Sequence, residues 1–330
     1  MKTLNTKDQC QIPPIVPSFS GILLVDKPQG MTSHDVVAII RKETGISRVG
    51  HGGTLDPMAT GLLPILLGSS TKLAEQLQGW DKSYRFDVVF GISTDTGDAE
   101  GNVVSAITPP STLTREVLLE ALIPFLGTIQ QKPPMYSAIK RDGVPLYKLA
   151  RKGIEVDRES RAITLHSLDL EAFSLPKATI HVRCSKGTYI RTLAEDIGLS
   201  LGIPAHVSRL IRTGYGHFSL EKDALPLSEI IVAIRSGSLS SILLPPESLF
   251  PDIPTVRILD QYLSGIQKGG SILGFQVYML EGLFNFSETI RISDRRGKCL
   301  ALGQSLVSSE SFSIMPKGLP VAKVVKRVGV

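Results

Sequence analysis

The chain has 330 residues, of which 42% are apolar and 20% are charged, a composition typical of a globular protein with a substantial core. Fibrous, repetitive and wholly disordered classes are thereby excluded, and the length predicts about two domains. The net charge is +5. Residues 252–330 contain ten Lys or Arg against six Asp or Glu, an excess of +4, which is compatible with binding to nucleic acid.

Cysteine usage and hydropathy indicate the compartment. Cys10, Cys184 and Cys299 are far apart and include no Cys-x-x-Cys pair, which favours a reducing environment. Residues 1–20 contain no apolar signal-peptide segment, and no apolar run approaches the roughly 18 residues that span a bilayer. We therefore expect a cytoplasmic protein without a membrane segment.

The first elements of the chain are predicted to be a strand and then a helix. Residues 21–28 have the apolar composition of a short buried strand that ends in proline. Thr32, followed by Asp35 three residues later, is typical of a helix N-terminus, and Gly45 is typical of a helix end.

The middle of the chain alternates between strand and helix patterns. Residues 62–67 predict a buried strand and residues 71–77 a short helix. Residues 84–90 alternate apolar and charged side chains, which predicts a half-buried strand, and residues 91–101 predict a polar loop. The later predicted elements are a helix at 114–126, an irregular loop at 132–140, strands at 161–173 and 178–184, a helix at 188–201 and a strand at 206–213.

Prolines indicate a domain boundary. Four of them fall within residues 244–254 (LPPESLFPDIP), and short strands with glycine turns, as in 291–303, follow. The mixed order of strands and helices favours an α+β fold over a doubly wound sheet. We predict a flexible arm in residues 1–20, a main domain in 21–250 and a small β-rich domain in 251–330.

The densest cluster of functional residue types is the segment 50–61, GHGGTLDPMATG. Asp56 precedes Pro57, which disfavours helical geometry at the aspartate, so a carboxylate is displayed on a loop of the kind that carries binding or catalytic groups. Alternatively, Asp56 caps a helix that begins at Pro57. No phosphate-loop or dinucleotide spacing is present, and we expect neither a cofactor nor a metal.

Four segments carry a pattern more specific than composition. They are LLVDKPQGMTSHDVV (23–37), GHGGTLDPMATGLLP (50–64), DKSYRFDVVFGISTDTGDAEG (81–101) and CSKGTYIRTLAEDIG (184–198). Together, and in this order, they closely resemble the TruB family of tRNA pseudouridine synthases. The resemblance implies a catalytic domain with a mixed, largely antiparallel sheet and flanking helices in 21–250. It also implies a small PUA-like RNA-binding domain in 251–330.

The resemblance implies a reaction as well. Uridine 55 in the T loop of tRNA is isomerised to pseudouridine: the bond from ribose C1′ to N1 breaks, the base turns, and a bond to C5 forms. No redox partner, metal or nucleotide cofactor is needed. The uridine must first be flipped out of the loop, at a cost of roughly a few kcal/mol. The implied partner is the T arm of tRNA, with no protein partner required. Nothing in the sequence demands more than a monomer, which is the state we expect.

Three residues match the catalytic positions of the family. Asp56 matches the catalytic aspartate, which acts at the ribose as a covalent nucleophile or as a base. Arg191 matches the arginine that pairs with this aspartate and favours its ionised form. Tyr84 matches the active-site tyrosine, whose ring stacks on the flipped base and whose hydroxyl is a candidate proton acceptor.

Four further residues match substrate-binding positions. Tyr189 and Leu210 match the lining of the uracil pocket, and His51 matches the histidine that occupies the space the bases vacate. Lys27 is expected near the site. Without the resemblance, Tyr189 and Leu210 would be interpreted as core residues, and His51 as a histidine satisfied by nearby backbone.

Two alternatives of different kinds remain open. One is the related guide-RNA-dependent synthase of archaeal and eukaryotic particles, which the bacterial-style PMATGLLP after Leu55-Asp56 and the absence of a long basic tail disfavour. The other is a tRNA-folding chaperone with secondary catalysis, which the presence of Asp56, Tyr84 and Arg191 disfavours.

Overall fold

The computed structural model describes residues 19–266 and 269–328, so Cys10 and most of the predicted N-terminal arm lie outside the described residues. Cys184 and Cys299 are buried free thiols. The strands are β1 (Gly21–Lys27), β2 (Val49–His51), β3 (Thr60–Leu67), β4 (Lys82–Phe90), β5 (Ile92–Thr94), β6 (Val103–Ala106), β7 (Gly127–Gln131), β8 (Lys140–Arg141), β9 (Val144–Pro145), β10 (Arg161–Ser174), β11 (Lys177–Cys184), β12 (Ala205–Tyr215), β13 (Phe218–Ser219), β14 (Leu225–Pro226), β15 (Thr255–Ile258), β16 (Ser271–Leu273), β17 (Val277–Glu281), β18 (Thr289–Ser293), β19 (Cys299–Ser305) and β20 (Pro320–Arg327).

The helices flank these strands and are mostly short. They are α1 (Ser33–Thr44), α2 (Ala74–Gln78), α3 (Arg115–Leu122), α4 (Leu146–Ala150), α5 (Ile190–Ser200), α6 (Leu220–Asp223), α7 (Leu227–Arg235), α8 (Leu239–Ile242), α9 (Leu263–Ile266) and α10 (Ser309–Ile314). No helix in the described ranges is long and apolar enough to cross a membrane.

A large sheet forms the body of the molecule. Its strand order is β14-β1-β3-β12-β4-β11-β10-β7, with β2 added to β3 and β13 added to β12. The pairs β1–β14 and β3–β12 are parallel, and the other pairs along this path are antiparallel. Helices α1, α3, α5 and α7 bury apolar side chains in the core of this sheet. The predicted α+β fold with a mixed, largely antiparallel sheet is confirmed.

Local sequence signals account for both ends of α1 and for the start of α3. Thr32 and Asp35 form a reciprocal capping box at the start of α1, and Gly45 ends the helix in a left-handed conformation. The predicted helix 114–126 is shorter than expected: Thr114 caps it, but after Leu122 it continues only as a 3₁₀ turn that contains proline.

Two other predicted elements differ from the structure. The polar loop 91–101 contains β5, which pairs with β6 in a hairpin; the pairing partner lies beyond Gly101, outside the segment from which the loop was predicted. The helix predicted at 71–77 is a 3₁₀ helix over Gly68–Leu73 that leads into the short α2.

The large sheet places two distant segments side by side at its centre. Strands β3 and β12 meet in parallel, with Thr60 opposite Ile211 and Gly61 opposite Arg212. Gly61 has φ of +100°, and a Cβ atom at this position would overlap the backbone of Arg212. Glycine is therefore required at position 61, at the start of β3 and shortly after Asp56.

A second sheet packs on the first. It is built from the C-terminal strands, in the order β16-β20-β19-β18-β15-β17. Leu302 and Val328 belong to the same buried cluster as Ile22 and Leu62 of the large sheet. The Ser69 hydroxyl donates a hydrogen bond to the carbonyl of Val328. The two sheets thus share apolar surface, while the domain division at residue 251 stays a prediction.

Replacement of Leu302 tests this shared surface. Leu302 is 3% exposed, and we expect Leu302→Ala to lower the free energy of unfolding by about 2–4 kcal/mol, because the truncation leaves a cavity between the sheets. The measurement is the urea unfolding midpoint. Val325→Ala, at a side chain 66% exposed on the neighbouring strand, is the control. Equal midpoints for the two variants would contradict a shared core.

Candidate active site

Asp56 lies in the loop that joins β2 to β3. No helix follows it: the Asp56 carbonyl accepts a hydrogen bond from the Ala59 N–H at 3.1 Å, and β3 begins at Thr60. The helix-capping alternative for Asp56 and Pro57 is therefore wrong, because the chain turns directly into a strand that pairs with β1.

Every backbone carbonyl from Gly52 to Pro57 accepts a hydrogen bond. Besides the Asp56 turn, Gly52 accepts from the Tyr215 hydroxyl (2.7 Å), Gly53 and Thr54 from the Arg212 guanidinium (3.2 and 3.3 Å), Leu55 from the Ser33 hydroxyl (3.2 Å) and Pro57 from the Gly30 N–H (2.9 Å). These donors belong to β12, to α1 and to the turn before α1. The loop is consequently fixed to the sheet and to a helix although it has no regular structure of its own.

An ion pair joins Asp56 to Arg191. Arg191 Nη2 lies 2.9 Å from Asp56 Oδ2, and the Arg191 side chain is 5% exposed against 37% for Asp56. The guanidinium also donates to the carbonyls of Tyr136 (2.8 Å) and Thr96 (2.9 Å), and Asp98 lies 3.6 Å from Nη1. A guanidinium held at four points has one orientation, and it presents the half-exposed Asp56 carboxylate to solvent.

The start of α5, which carries Arg191, is set by a side chain from another strand. Gln131 accepts a hydrogen bond from the Tyr189 N–H at 2.8 Å and donates one to the Tyr189 carbonyl at 3.0 Å. The amide thus fixes the backbone of Tyr189, the N-cap residue, whose own side chain forms no capping hydrogen bond. Burial raises the pKa of the Tyr189 hydroxyl.

Tyr84 and Leu210 lie on the two adjacent strands β4 and β12. Tyr84 is half-buried against the main core, and Leu210 is 6% exposed. Burial raises the pKa of the Tyr84 hydroxyl, while the charge of Arg212 and a hydrogen bond from it act in the opposite direction. Tyr84 is also the register partner of Arg212. The hydroxyl is therefore protonated at neutral pH.

His51, at the end of β2, is a neutral histidine in an aromatic contact. Its ring meets that of His34 edge to face, with centroids 5.4 Å apart and planes at 76°. Burial, followed by the nearby charges of His34 and Arg212, lowers the pKa of His51 to about 4. Its Nδ1 is buried and has no hydrogen-bond partner within the described ranges.

Lys27 lies beneath the loop. Its side chain is fully buried, and its ammonium donates to the carbonyls of Met31 at 2.7 Å, Pro28 at 2.9 Å and Pro57 at 3.4 Å. Burial lowers the pKa of Lys27 to about 8, and the negative charge of Asp56 partly offsets this. In this arrangement Lys27 supports the backbone of the loop from the side opposite solvent.

Sequence reasoning missed several residues that organise the site. Arg212, Asp98, Gln131 and Tyr215 were not singled out. A charged residue in the apolar strand pattern of 206–213 was the available signal for Arg212. Asp98 falls inside one of the segments that carried the family resemblance, but its contact with Arg191 is visible only in three dimensions.

Comparison with known proteins identifies the family to which the chain is similar. Residues 41–190 match the model of the TruB family pseudouridylate synthase N-terminal domain, and residues 191–250 match that of the tRNA pseudouridylate synthase B C-terminal domain. A tRNA pseudouridine synthase B from Azoarcus sp. (strain BH72) is 47% identical over 76% of this chain and 82% of the relative. One from Geobacillus thermodenitrificans (strain NG80-2) is 42% identical over 80% and 88%.

Solved structures share the fold. A chain of a Cbf5-Nop10-Gar1 complex is 25% identical with a TM-score of 0.71, covering 93% of this chain and 84% of that one. A chain of an H/ACA RNP bound to a substrate RNA containing 2'-deoxyuridine is 23% identical, again with a TM-score of 0.71, covering 94% and 85%. Fold and family matches together define a pseudouridine synthase, an isomerase of uridine. Within that class, the chain belongs to the TruB family.

The buried neutral state of His51 predicts a pH dependence of stability. Its pKa is about 4 in the folded protein against 6.5 for an unperturbed histidine, so the unfolded chain takes up a proton first as the pH falls. The folded state therefore loses stability between about pH 6.5 and 4. As the pH falls through this range, we expect the urea midpoint of wild type to fall relative to that of His51→Gln, because glutamine does not titrate. A constant difference would contradict the neutral assignment.

Proposed function

We propose that this protein converts uridine 55 in the T loop of tRNA to pseudouridine, with Asp56 as the catalytic carboxylate. The observation that carries the proposal is the Asp56–Arg191 ion pair of 2.9 Å on a loop whose carbonyls are all hydrogen-bonded. The relatives named tRNA pseudouridine synthase B, at 42–47% identity over most of the chain, support the substrate.

The proposed reaction is balanced without any added reactant. The bond from C1′ to N1 breaks, the base turns in the pocket, C1′ bonds to C5, C5 loses its proton and N1 gains one. Asp56 acts at the ribose, either as a nucleophile at C1′ or as a base that removes a sugar proton. Arg191 stabilises the carboxylate and fixes its direction.

Tyr84 is proposed to stack on the flipped uracil and to take part in removal of the C5 proton. Because burial raises the pKa of this hydroxyl, it is protonated before the reaction. It accepts the C5 proton only if it passes its own proton to a second acceptor at the same time. Its proposed role is thus that of a relay rather than a free phenolate base.

The remaining predicted residues are assigned to substrate placement. Tyr189 and Leu210 line the proposed uracil pocket. His51 is proposed to fill the space left by the flipped nucleotide, and its unpartnered Nδ1 offers a hydrogen bond to the RNA. Lys27 is proposed to act through the loop, since its ammonium is already bound to three carbonyls.

The C-terminal sheet is proposed to be a PUA-like domain that contacts tRNA phosphates. Its excess of positive charge, ten basic against six acidic residues in 252–330, supports this role. The enzyme is proposed to act as a monomer without a protein partner. The alternative of a guide-RNA-dependent synthase is favoured only by the shared fold of the two RNP chains, at 23–25% identity.

Asp56→Asn tests the proposed catalyst. We expect no detectable pseudouridine on an unmodified tRNA transcript, because the amide is neither a nucleophile nor a base, and a tRNA Kd within about tenfold of wild type. The assay contains purified protein and no guide RNA. Asp169→Asn, at an exposed position of β10, is the control and should retain wild-type turnover. Equal loss of turnover and binding in Asp56→Asn would count against catalysis by this residue.

Tyr84→Phe tests the relay. The variant keeps the ring but lacks the hydroxyl, and we expect the reaction to stall after cleavage of the C1′–N1 bond. Rapid quenching followed by nucleoside analysis should show loss of uridine without matching pseudouridine. Tyr262→Phe, in the C-terminal part of the chain, should behave as wild type. Normal product formation by Tyr84→Phe would refute a proton-transfer role.

A further inference from the structure

Arg212 is a fully buried charge without an acidic partner. It is 1% exposed and lies in β12 at the centre of the large sheet. Within the described ranges no carboxylate forms an ion pair with it. A buried guanidinium is costly unless its N–H groups are hydrogen-bonded, so the groups that satisfy Arg212 reveal what its charge is used for.

The acceptors of Arg212 lie on both sides of Asp56. Nη2 donates to the Gly53 carbonyl at 3.2 Å and Nη1 to the Thr54 carbonyl at 3.3 Å, both before the aspartate. Nε donates to the Leu62 carbonyl at 2.6 Å, after it. One rigid, planar group thus joins the two strands of chain that enter and leave the Asp56 turn.

An aromatic ring braces the guanidinium. Arg212 lies 5.0 Å from the centroid of the Tyr215 ring, and Lys82 lies 4.7 Å from the same ring. The Tyr215 hydroxyl is 2.7 Å from the Gly52 carbonyl, and a side chain at Gly53 would contact it. Arg212 and Tyr215 therefore hold three successive carbonyls of the loop from one strand.

The same charge reaches the other residues around Asp56. Arg212 pairs in register with Tyr84 and opposes the effect of burial on the Tyr84 pKa. Its charge also lowers the pKa of Lys27 and of His51, after the larger effect of burial on each. One guanidinium thus connects the loop of the carboxylate, the tyrosine and the histidine.

We propose that Arg212 is a positioning residue of the pseudouridine synthase site, fixing both flanks of the Asp56 loop and the tyrosine beside it so that the carboxylate meets the ribose in one geometry. This inference rests on the proposed role of Asp56. It assigns to Arg212 no contact with the substrate; its effect on the reaction is exerted through Asp56 and Tyr84.

A matched pair of variants separates positioning from packing. Arg212→Met keeps the length of the side chain but removes its N–H groups and charge, and Arg209→Met removes an exposed charge from the same strand. Single-turnover rates with saturating enzyme and tRNA transcript should fall roughly 100-fold or more for Arg212→Met and stay within about twofold for Arg209→Met. The tRNA Kd of Arg212→Met should stay within about threefold.

Arg212→Lys provides the second variant if Arg212→Met does not fold. The ammonium retains the charge but cannot direct three hydrogen bonds in one plane, so we expect a single-turnover rate below those of wild type and Arg209→Met. NMR titration of the His51 ring gives a readout independent of turnover: its pKa, about 4 in wild type, should rise in Arg212→Met because a neighbouring positive charge is lost.

These experiments distinguish failure of the positioning role of Arg212 from failure of the proposed function. If wild-type protein forms pseudouridine and folded Arg212→Met reacts as fast as Arg209→Met, or if Arg212→Met loses only thermal stability, the positioning role is overturned and the proposed function stands. If wild-type protein makes no product on tRNA, the proposed function fails and the inference with it.

Discussion

Six successive backbone carbonyls, Gly52 to Pro57, each need a donor, and the structure supplies all six although the loop belongs to no helix or strand. An unpaired buried carbonyl costs free energy comparable to a lost hydrogen bond, so the loop is stable in this path only while its donors are in place. Four of these carbonyls accept from side chains on regular elements: Ser33 begins α1, and Arg212 and Tyr215 belong to β12. The direction of the Asp56 carboxylate follows from this constraint.

Two buried arginines interact with different groups around Asp56. Arg191 faces the carboxylates of Asp56 and Asp98, whereas Arg212 faces three backbone carbonyls and the Tyr215 ring. Arg191 pairs with the Asp56 carboxylate, and Arg212 holds the backbone that presents this carboxylate. Fixed charges and dipoles of this kind are oriented before the substrate binds, so little reorganisation is needed during the reaction. Burial, and after it the neighbouring positive charges, lowers the pKa of His51 and keeps the ring neutral.

Local patterns predicted much of the fold, and the family resemblance predicted the site residues. The capping box of α1 and the alternation along β4 are local signals, and both elements form where they were expected. Arg212 and Gln131 could not be identified in this way, because their roles depend on contacts with segments far away in the sequence. The sequence around Asp56 did not distinguish a helix start from a turn, because an aspartate before a proline suits both.

The distance in sequence between the donors and the loop has a consequence for synthesis of the protein. Arg212 reaches back 150 residues to Leu62, and β12 must insert between β3 and β4 to complete the sheet. A nascent chain that has left the ribosome only as far as α5 carries Asp56 and Arg191 but lacks Arg212 and Tyr215, the donors to the carbonyls of Gly52, Gly53 and Thr54. Long-range pairing of this kind forms late because the entropy of loop closure must be overcome first. The Asp56 loop therefore gains the last of its donors only when β12 has joined the sheet.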